Sequence, residues 1–154
     1  MDIEIRNNSM DSLAKYFVVL VLSTAVFALG TTNSYANTAY LTVSNDAENY
    51  TFAYKVNQGD CSADLMGVAG IIEPKKWAQI GGAALSSLCG TNTANCKIDF
   101  YMSKNKTCED KPVGTALFDV NKGLVSLTNN KVNGFFVVKS GANSVSISGG
   151  PIKK

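Results

Sequence analysis

The sequence predicts an all-β fold: an antiparallel β-sandwich, stapled by two disulfides and preceded by a cleavable leader. Three observations carry that expectation. Short segments alternate apolar and polar residues with a period of two, the mark of half-buried strands. Breaks rich in Asn, Asp and Gly separate them every ~8–12 residues. No segment shows a long apolar stripe of helical period, and Gly82–Cys89 is the sole helix candidate, at about two turns.

The first 36 residues read as an address. Phe17 to Leu29 is an apolar run of 13 residues, with Lys15 just before it and Ser34 and Ala36 at the minus-three and minus-one positions of a small-residue cleavage site. That arrangement is a secretory signal peptide. A membrane-spanning helix would need ~20 apolar residues. Asp2, Glu4 and Asp11 outnumber Arg6 and Lys15, which is wrong for a leader's basic start. A start at Met10 removes Asp2, Glu4 and Arg6, so Met10 is the expected initiator. Cleavage after Ala36 takes 36 of 154 residues and leaves 118, from Asn37 to Lys154, expected to form a single domain. Three of twelve acids and two of fourteen basic residues leave with the leader, so nine acids and twelve lysines remain, a net charge of +3. A chain of about 120 residues can bury one core.

Within this part, the strands follow in order. Ala39–Ser44 is the first. Tyr50, Phe52, Tyr54 and Val56 then share one face of a strand. Met66–Ile72 is a weaker strand candidate, because Gly67 and Gly70 interrupt it. Trp77–Ile80 follows. Cys96, Ile98, Phe100 and Met102 share one face of the strand Cys96–Ser103. Thr115–Val120, Leu124–Thr128, Phe135–Lys139 and Ser144–Ser148 complete the set. Asn121-Lys122-Gly123 and Asn129-Asn130 have the chemistry of hairpin connections. One strong apolar face per strand suits two packed sheets of immunoglobulin-like or jelly-roll-like form. The tail Gly149-Gly150-Pro151-Ile152-Lys153-Lys154 is expected to fray.

All four cysteines, Cys61, Cys89, Cys96 and Cys108, lie after the leader. An even number in an exported chain reads as two disulfides. Four cysteines allow three pairings. Cys61–Cys89 with Cys96–Cys108 is expected, because neighbouring segments tend to pack together. Zinc would need closely spaced thiolate pairs, whereas the spacings here are 27, 6 and 11 intervening residues.

Composition excludes several chemistries. There is no histidine, so Ser-His-Asp and Cys-His nucleophile systems and His-ligated metals are out. The sole arginine, Arg6, lies in the leader. The lysines are scattered and form no basic stripe, so a nucleic-acid groove is not expected. Asp46, Glu48, Asn49, Asp60 and Asp64 lack the spacing of a calcium loop. Asp99, Glu109, Asp110 and Asp119 could supply a carboxylate pair for glycoside hydrolysis, but nothing in their spacing brings two together. Serine–lysine catalysis stays open on composition. No cofactor or metal is expected.

The candidate ligand surface is aromatic. Trp77, with Tyr40, Tyr54, Tyr101 or Tyr50 nearby, could form a stacking platform for a sugar ring. The competing reading is a packed or partly buried tryptophan on a strand, the commoner circumstance, and it is preferred.

The leader ending Ser34-Tyr35-Ala36, the segment Tyr40-Leu41-Thr42-Val43-Ser44-Asn45 and the four cysteines including Leu88-Cys89-Gly90 together resemble the layout of small exported β-sandwich proteins of Gram-negative bacteria. The resemblance implies a secreted or periplasmic location, and no functional residues follow from it. Chaperone–usher pilins are similar in size, disulfide use and export, but Asn37–Ser44 is short for a donor arm. The expectation is a non-enzymatic binding module acting on a protein or glycan, with no nucleic acid and no transmembrane segment after the leader. A fimbrial or surface-assembly subunit is the alternative, and a small hydrolase that works without histidine is the lesser one.

Overall fold

Alternation decides which side of each strand meets the core. In β1 (Leu41–Asn45), Leu41 and Val43 point inward while Thr42 and Ser44 stay half-exposed. In β2 (Thr51–Val56), Phe52, Tyr54 and Val56 enter the same core. The computed structural model describes residues 39–151. The expected leader, its cleavage site after Ala36, the start at Met10 and the last three residues of the tail lie outside them.

Helix α1 (Ser62–Met66) and a 3-10 turn (Gly67–Gly70) follow β2. Then come β3 (Lys76–Ile80), helix α2 (Gly82–Cys89), β4 (Cys96–Ser103), β5 (Gly114–Asp119), β6 (Gly123–Asn129), β7 (Phe135–Gly141) and β8 (Ser144–Gly149). The strands form two four-stranded sheets, with orders β3-β1-β8-β7 and β2-β4-β5-β6. The result is the expected sandwich. Its first sheet is mixed, not wholly antiparallel, because β1 and β8 run parallel while every other pairing is antiparallel. A hairpin forces its two strands to be antiparallel, but the first and last strands share no hairpin and are free of that constraint.

The core lies between the sheets. Leu41, Val43, Phe135, Val137, Val145 and Ile147 meet Phe52, Ile98, Phe100, Ala116 and Phe118, and Leu85 of α2 closes one side. Phe52 and Phe100 pack with ring centroids 5.5 Å apart. Each large side chain buried this way contributes about 1.5–3 kcal/mol. A second, smaller cluster lies on the outside of the other sheet, where Ala53, Tyr101, Cys61 and Cys108 pack together with Ala63 and Ile71.

The disulfides are Cys61–Cys108 and Cys89–Cys96, with Cα atoms 5.7 Å and 5.4 Å apart. This corrects the expected Cys61–Cys89 and Cys96–Cys108. Neither expected pair comes together, because the chain visits the other sheet through β3 between Cys61 and Cys89, and the length of β4 separates Cys96 from Cys108. Lys55 of β2 bridges to Cys61, and β4, the neighbour of β2, leads into the loop that holds Cys108. Cys89 ends α2, and Gly90, at φ 57°, turns the chain toward Cys96 at the start of β4.

The expected strand at Met66–Ile72 is also overturned. Gly67–Gly70 winds as a 3-10 turn, and only Ile72 makes a ladder contact, an isolated bridge to Phe52. Buried Ser62 locks this cap. Its hydroxyl accepts from the Tyr54 N–H at 2.9 Å and donates to the Gly70 carbonyl at 2.6 Å. A Cβ on Gly70 would sit 1.8 Å from the Ser62 carbonyl oxygen. Gly70→Ala is therefore expected to cost about 3 kcal/mol, the upper end of ordinary overpacking. Urea unfolding should show this as a lower midpoint at constant slope, and an unchanged midpoint would disprove the lock.

The turns divide. Asn121-Lys122 links β5 to β6 as expected, with Asp119 accepting the Asn121 and Lys122 N–H groups and Gly123 at φ 98°. Asn143 Oδ1 accepts the Leu124 N–H and ties this hairpin to the loop between β7 and β8. Asn129-Asn130 is not a hairpin. It begins the crossing from β6 in one sheet to β7 in the other, with positive φ at Lys131 and Asn133.

Candidate functional site

The outward face of the sheet β3-β1-β8-β7 is the most distinctive surface. Strand pairing lays its residues out in rows. Trp77 pairs with Ser44, Ser44 with Ser146, and Ser146 with Val138, one row across all four strands. Gln79, Thr42, Ser144 and Gly141 form the next row. Phe136 pairs with Ser148 one step along on the other side. Strands ~4.8 Å apart place Trp77 and Val138 about 14 Å from each other.

Sequence explains each contribution. Ser144-Val145-Ser146-Ile147-Ser148 alternates strictly, so the valine and isoleucine are buried and all three serines face out. Phe135-Phe136-Val137-Val138 is apolar on both faces, so whichever pair enters the core leaves the other in water. Phe135 and Val137 are buried, while Phe136 and Val138 remain 55% and 50% exposed. Trp77 is 69% exposed, which overturns the preferred reading of a packed tryptophan. β3 is an edge strand whose inward positions are filled by Ala78 and Ile80. Trp77 therefore falls on the outer side.

No charged side chain stands in these rows. Asp46, directly after β1, reaches in with its carboxylate, accepting from Ser44 Oγ at 2.9 Å and from Ser146 Oγ at 2.5 Å. The Ser146 bond, then the Ser44 bond, hold its carboxyl below the usual carboxylate range. Lys75 Nζ donates to the Asp46 carbonyl at 2.7 Å.

The four expected aromatics separate. Tyr40, just before β1, is half-exposed, and alternation sets it on the same side as Thr42 and Ser44. Tyr54 is a core residue, 5% exposed, stacked on Phe52 at 6.0 Å. Tyr101 is buried in the outer cluster of the opposite sheet, with Lys55 Nζ 5.9 Å from its ring. Neither belongs to a surface with Trp77. Tyr54 lies on the inward side of β2, and Tyr101 lies on the outward side of β4, where Cys61, Cys108, Ala63 and Ile71 pack with it. Tyr50 packs edge-on against Phe135 at 5.1 Å, with Lys104 Nζ 5.5 Å from its ring centroid. It also borders an open cleft of about 690 Å³ with Asp46, Glu48, Lys75 and Lys104.

Burial pushes the Tyr54 hydroxyl up to about 12 from an ordinary value of 10.0. The unfolded chain therefore releases this proton first, so the stabilising contribution is complete below pH 10 and is lost as pH rises toward 12. A spectrophotometric titration should show late phenolate ionisation that Tyr54→Phe reduces, the remainder coming from Tyr101, which burial also raises. Ionisation of every tyrosine at its ordinary pH would contradict the burial.

The acidic candidates have local work. Asp99 accepts from Thr115 Oγ1 at 2.7 Å and pairs with Lys97 at 2.9 Å, and Asp119 caps the hairpin. Glu109 and Asp110 border a shallow cleft with Lys104 and Asn133. Ser103-Lys104-Asn105-Lys106 has serine–lysine spacing, but Ser103 Oγ accepts the Thr107 N–H and Lys106 Nζ pairs with Glu73 at 2.8 Å. Among the described residues, no cluster of three metal-ligating side chains occurs and no helix is long and apolar enough to cross a membrane.

No protein-family model matches the chain, and no curated protein matches it. Among solved structures it is similar to the crystal structure of NttC, a type II secretion system substrate of Legionella pneumophila. The TM-score is 0.55 at 18% identity, over 72% of this chain and 97% of that one. At that identity the likeness is one of fold: the sandwich described above is shared with a small bacterial protein that is itself secreted.

Proposed function

We propose that this chain is an exported, non-enzymatic binding module that meets its partner through the outer face of the sheet β3-β1-β8-β7. The observation that carries the reading is Trp77, held on a strand yet 69% exposed, at the edge of a field of hydroxyls of which two are bonded to the Asp46 carboxylate. An indole left in water adds little to the core, and tryptophan is the side chain most enriched where binding energy concentrates.

Export has three supports: the leader-like first 36 residues, two disulfides suited to an oxidising compartment, and a fold shared with a secretion substrate. The location this favours is periplasmic or secreted, with contact to a host protein or glycan in the latter case. Of the four acids that could have formed a hydrolytic pair, Asp99 and Asp119 are engaged in the sheet and its hairpin, which favours binding over catalysis, while Glu109 and Asp110 border the shallow cleft. The pilin-like alternative requires a sandwich with a vacant strand position. Here β1 pairs directly with both β3 and β8, which favours a self-contained module.

The test compares wild type with Trp77→Ala in capture from envelope and host-cell extracts, followed by titration of each purified captured component. The expected result is a saturable partner whose affinity falls ten-fold or more in the variant, the scale of a truncated hot-spot tryptophan. Binding indifferent to Trp77→Ala would place the contact elsewhere, and a measured turnover would refute the non-enzymatic reading.

A further inference from the structure

We infer that the ligand of this face is a neutral polysaccharide. The inference rests on the binding reading above and names its chemistry. The polarity of the face is inverted relative to a protein interface. Protein–protein contacts concentrate apolar residues at the centre and polar ones at the rim. Here Trp77 stands at one edge, Phe136 and Val138 stand at the other, and the middle strands β1 and β8 carry Thr42, Ser44, Ser144, Ser146 and Ser148. A protein partner would have to seat polar groups in the centre of its own patch and split its apolar anchors about 14 Å apart.

A sugar chain fits that distribution. Each pyranose ring offers a C–H face that stacks on an aromatic ring and a rim of hydroxyls that both donate and accept. Serine and threonine hydroxyls answer in the same currency, one donor and two acceptor positions each. Ser44 and Ser146 already donate their protons to the Asp46 carboxylate. Their oxygens are therefore oriented to accept from a ligand hydroxyl, and the charge behind them strengthens that acceptance.

Charge decides which polysaccharide. The rows contain no lysine to receive a carboxylate or sulfate, and Lys75 at their border is held by the Asp46 carbonyl and offsets its carboxylate, so an uncharged chain is the complementary ligand. Strands make the platform rigid, and a preformed face loses little entropy when it binds. The geometry allows a chain to run across the strands from Trp77 toward Phe136 and Val138, with its hydroxyls over the serines.

The experiment titrates the purified, disulfide-bonded protein with soluble β-glucan, mannan and arabinogalactan, and with polygalacturonate as the acidic probe. Trp77, the sole tryptophan, reports stacking through its emission, and calorimetry follows the variants. At least one neutral polysaccharide is expected to shift the emission saturably. Trp77→Ala should weaken it ten-fold or more, and the double change Ser44→Ala with Ser146→Ala three-fold or more. Val125→Ala, exposed on the other sheet, should bind as wild type does, and added salt should change little. Preference for polygalacturonate, or no response to any neutral chain, overturns the inference. If the neutral chains fail while a purified protein binds in a Trp77-dependent way, the glycan assignment falls and the binding face stands. If no partner depends on Trp77, both fall.

Discussion

Asn45→Ala is expected to destabilise the protein by about 4 kcal/mol, close to the total margin of many small domains. Asn45 ends β1 with no exposed surface, yet it is polar. Its Nδ2 donates to the Tyr50 carbonyl at 2.7 Å and to the Ile72 carbonyl at 2.9 Å, and its Oδ1 accepts the Ala47 N–H at 3.2 Å. One amide thus ties the loop between the sheets to the segment that leaves the cap. Truncation strands the Tyr50 carbonyl and the Ala47 N–H, each costing about 1–3 kcal/mol where water cannot reach, while the Ile72 carbonyl keeps the Phe52 N–H at 2.9 Å. Asn45→Asp is expected to be no better, because an ionised carboxylate would face two carbonyls. Urea unfolding of both variants is the measurement. A loss below about 1 kcal/mol would mean that water replaces the side chain, since only rehydration restores the missing partners.

Removing Cys61–Cys108 is expected to cost about 4 kcal/mol, and removing Cys89–Cys96 about 2 kcal/mol, from loop-closure entropy at separations of 47 and 7 residues. The order matters more than the values. The first bridge also holds the lid over Ala53 and Tyr101, so Cys61→Ala with Cys108→Ala should expose Tyr101 to solvent. Cys89→Ala with Cys96→Ala should leave that tyrosine covered. Thermal unfolding of the two double variants, paired with tyrosine accessibility, checks both claims. Equal losses would show that the chain-entropy account does not govern here.

Much of this architecture was written in local pattern. The alternation of Tyr50 to Val56 and Cys96 to Ser103 marks strands whose inward residues are those that make the core. The eight glycine-framed residues Gly82–Cys89 form the helix they suggested. What local pattern does not carry is which sheet a strand joins. That choice determines the disulfide partners and turns Asn129-Asn130 into a crossing. Ser62–Met66 was invisible as a helix because five residues carry no periodicity. It stands through the tertiary ties of Ser62. The candidate face was half legible. The serines of β8 and the doubly apolar β7 were plain in the sequence, but only the register joins them to Trp77. Tyr54 and Tyr101 could not be told from Tyr40 by residue type, because exposure depends on what the opposite sheet and the lid supply.

The parallel pairing of β1 and β8 has a mechanical consequence. The chain enters the sandwich through β1 and leaves it through β8, and the two strands point the same way. Tension between Ala39 and Pro151 would drag the strands past each other along their length. The bonds between them, including Thr42 N–H to the Asn143 carbonyl and Asp46 N–H to the Ile147 carbonyl, would then bear load together. An antiparallel terminal hairpin would unzip one bond at a time. A pull applied through these two strands therefore meets the domain along a direction in which its bonds share the load.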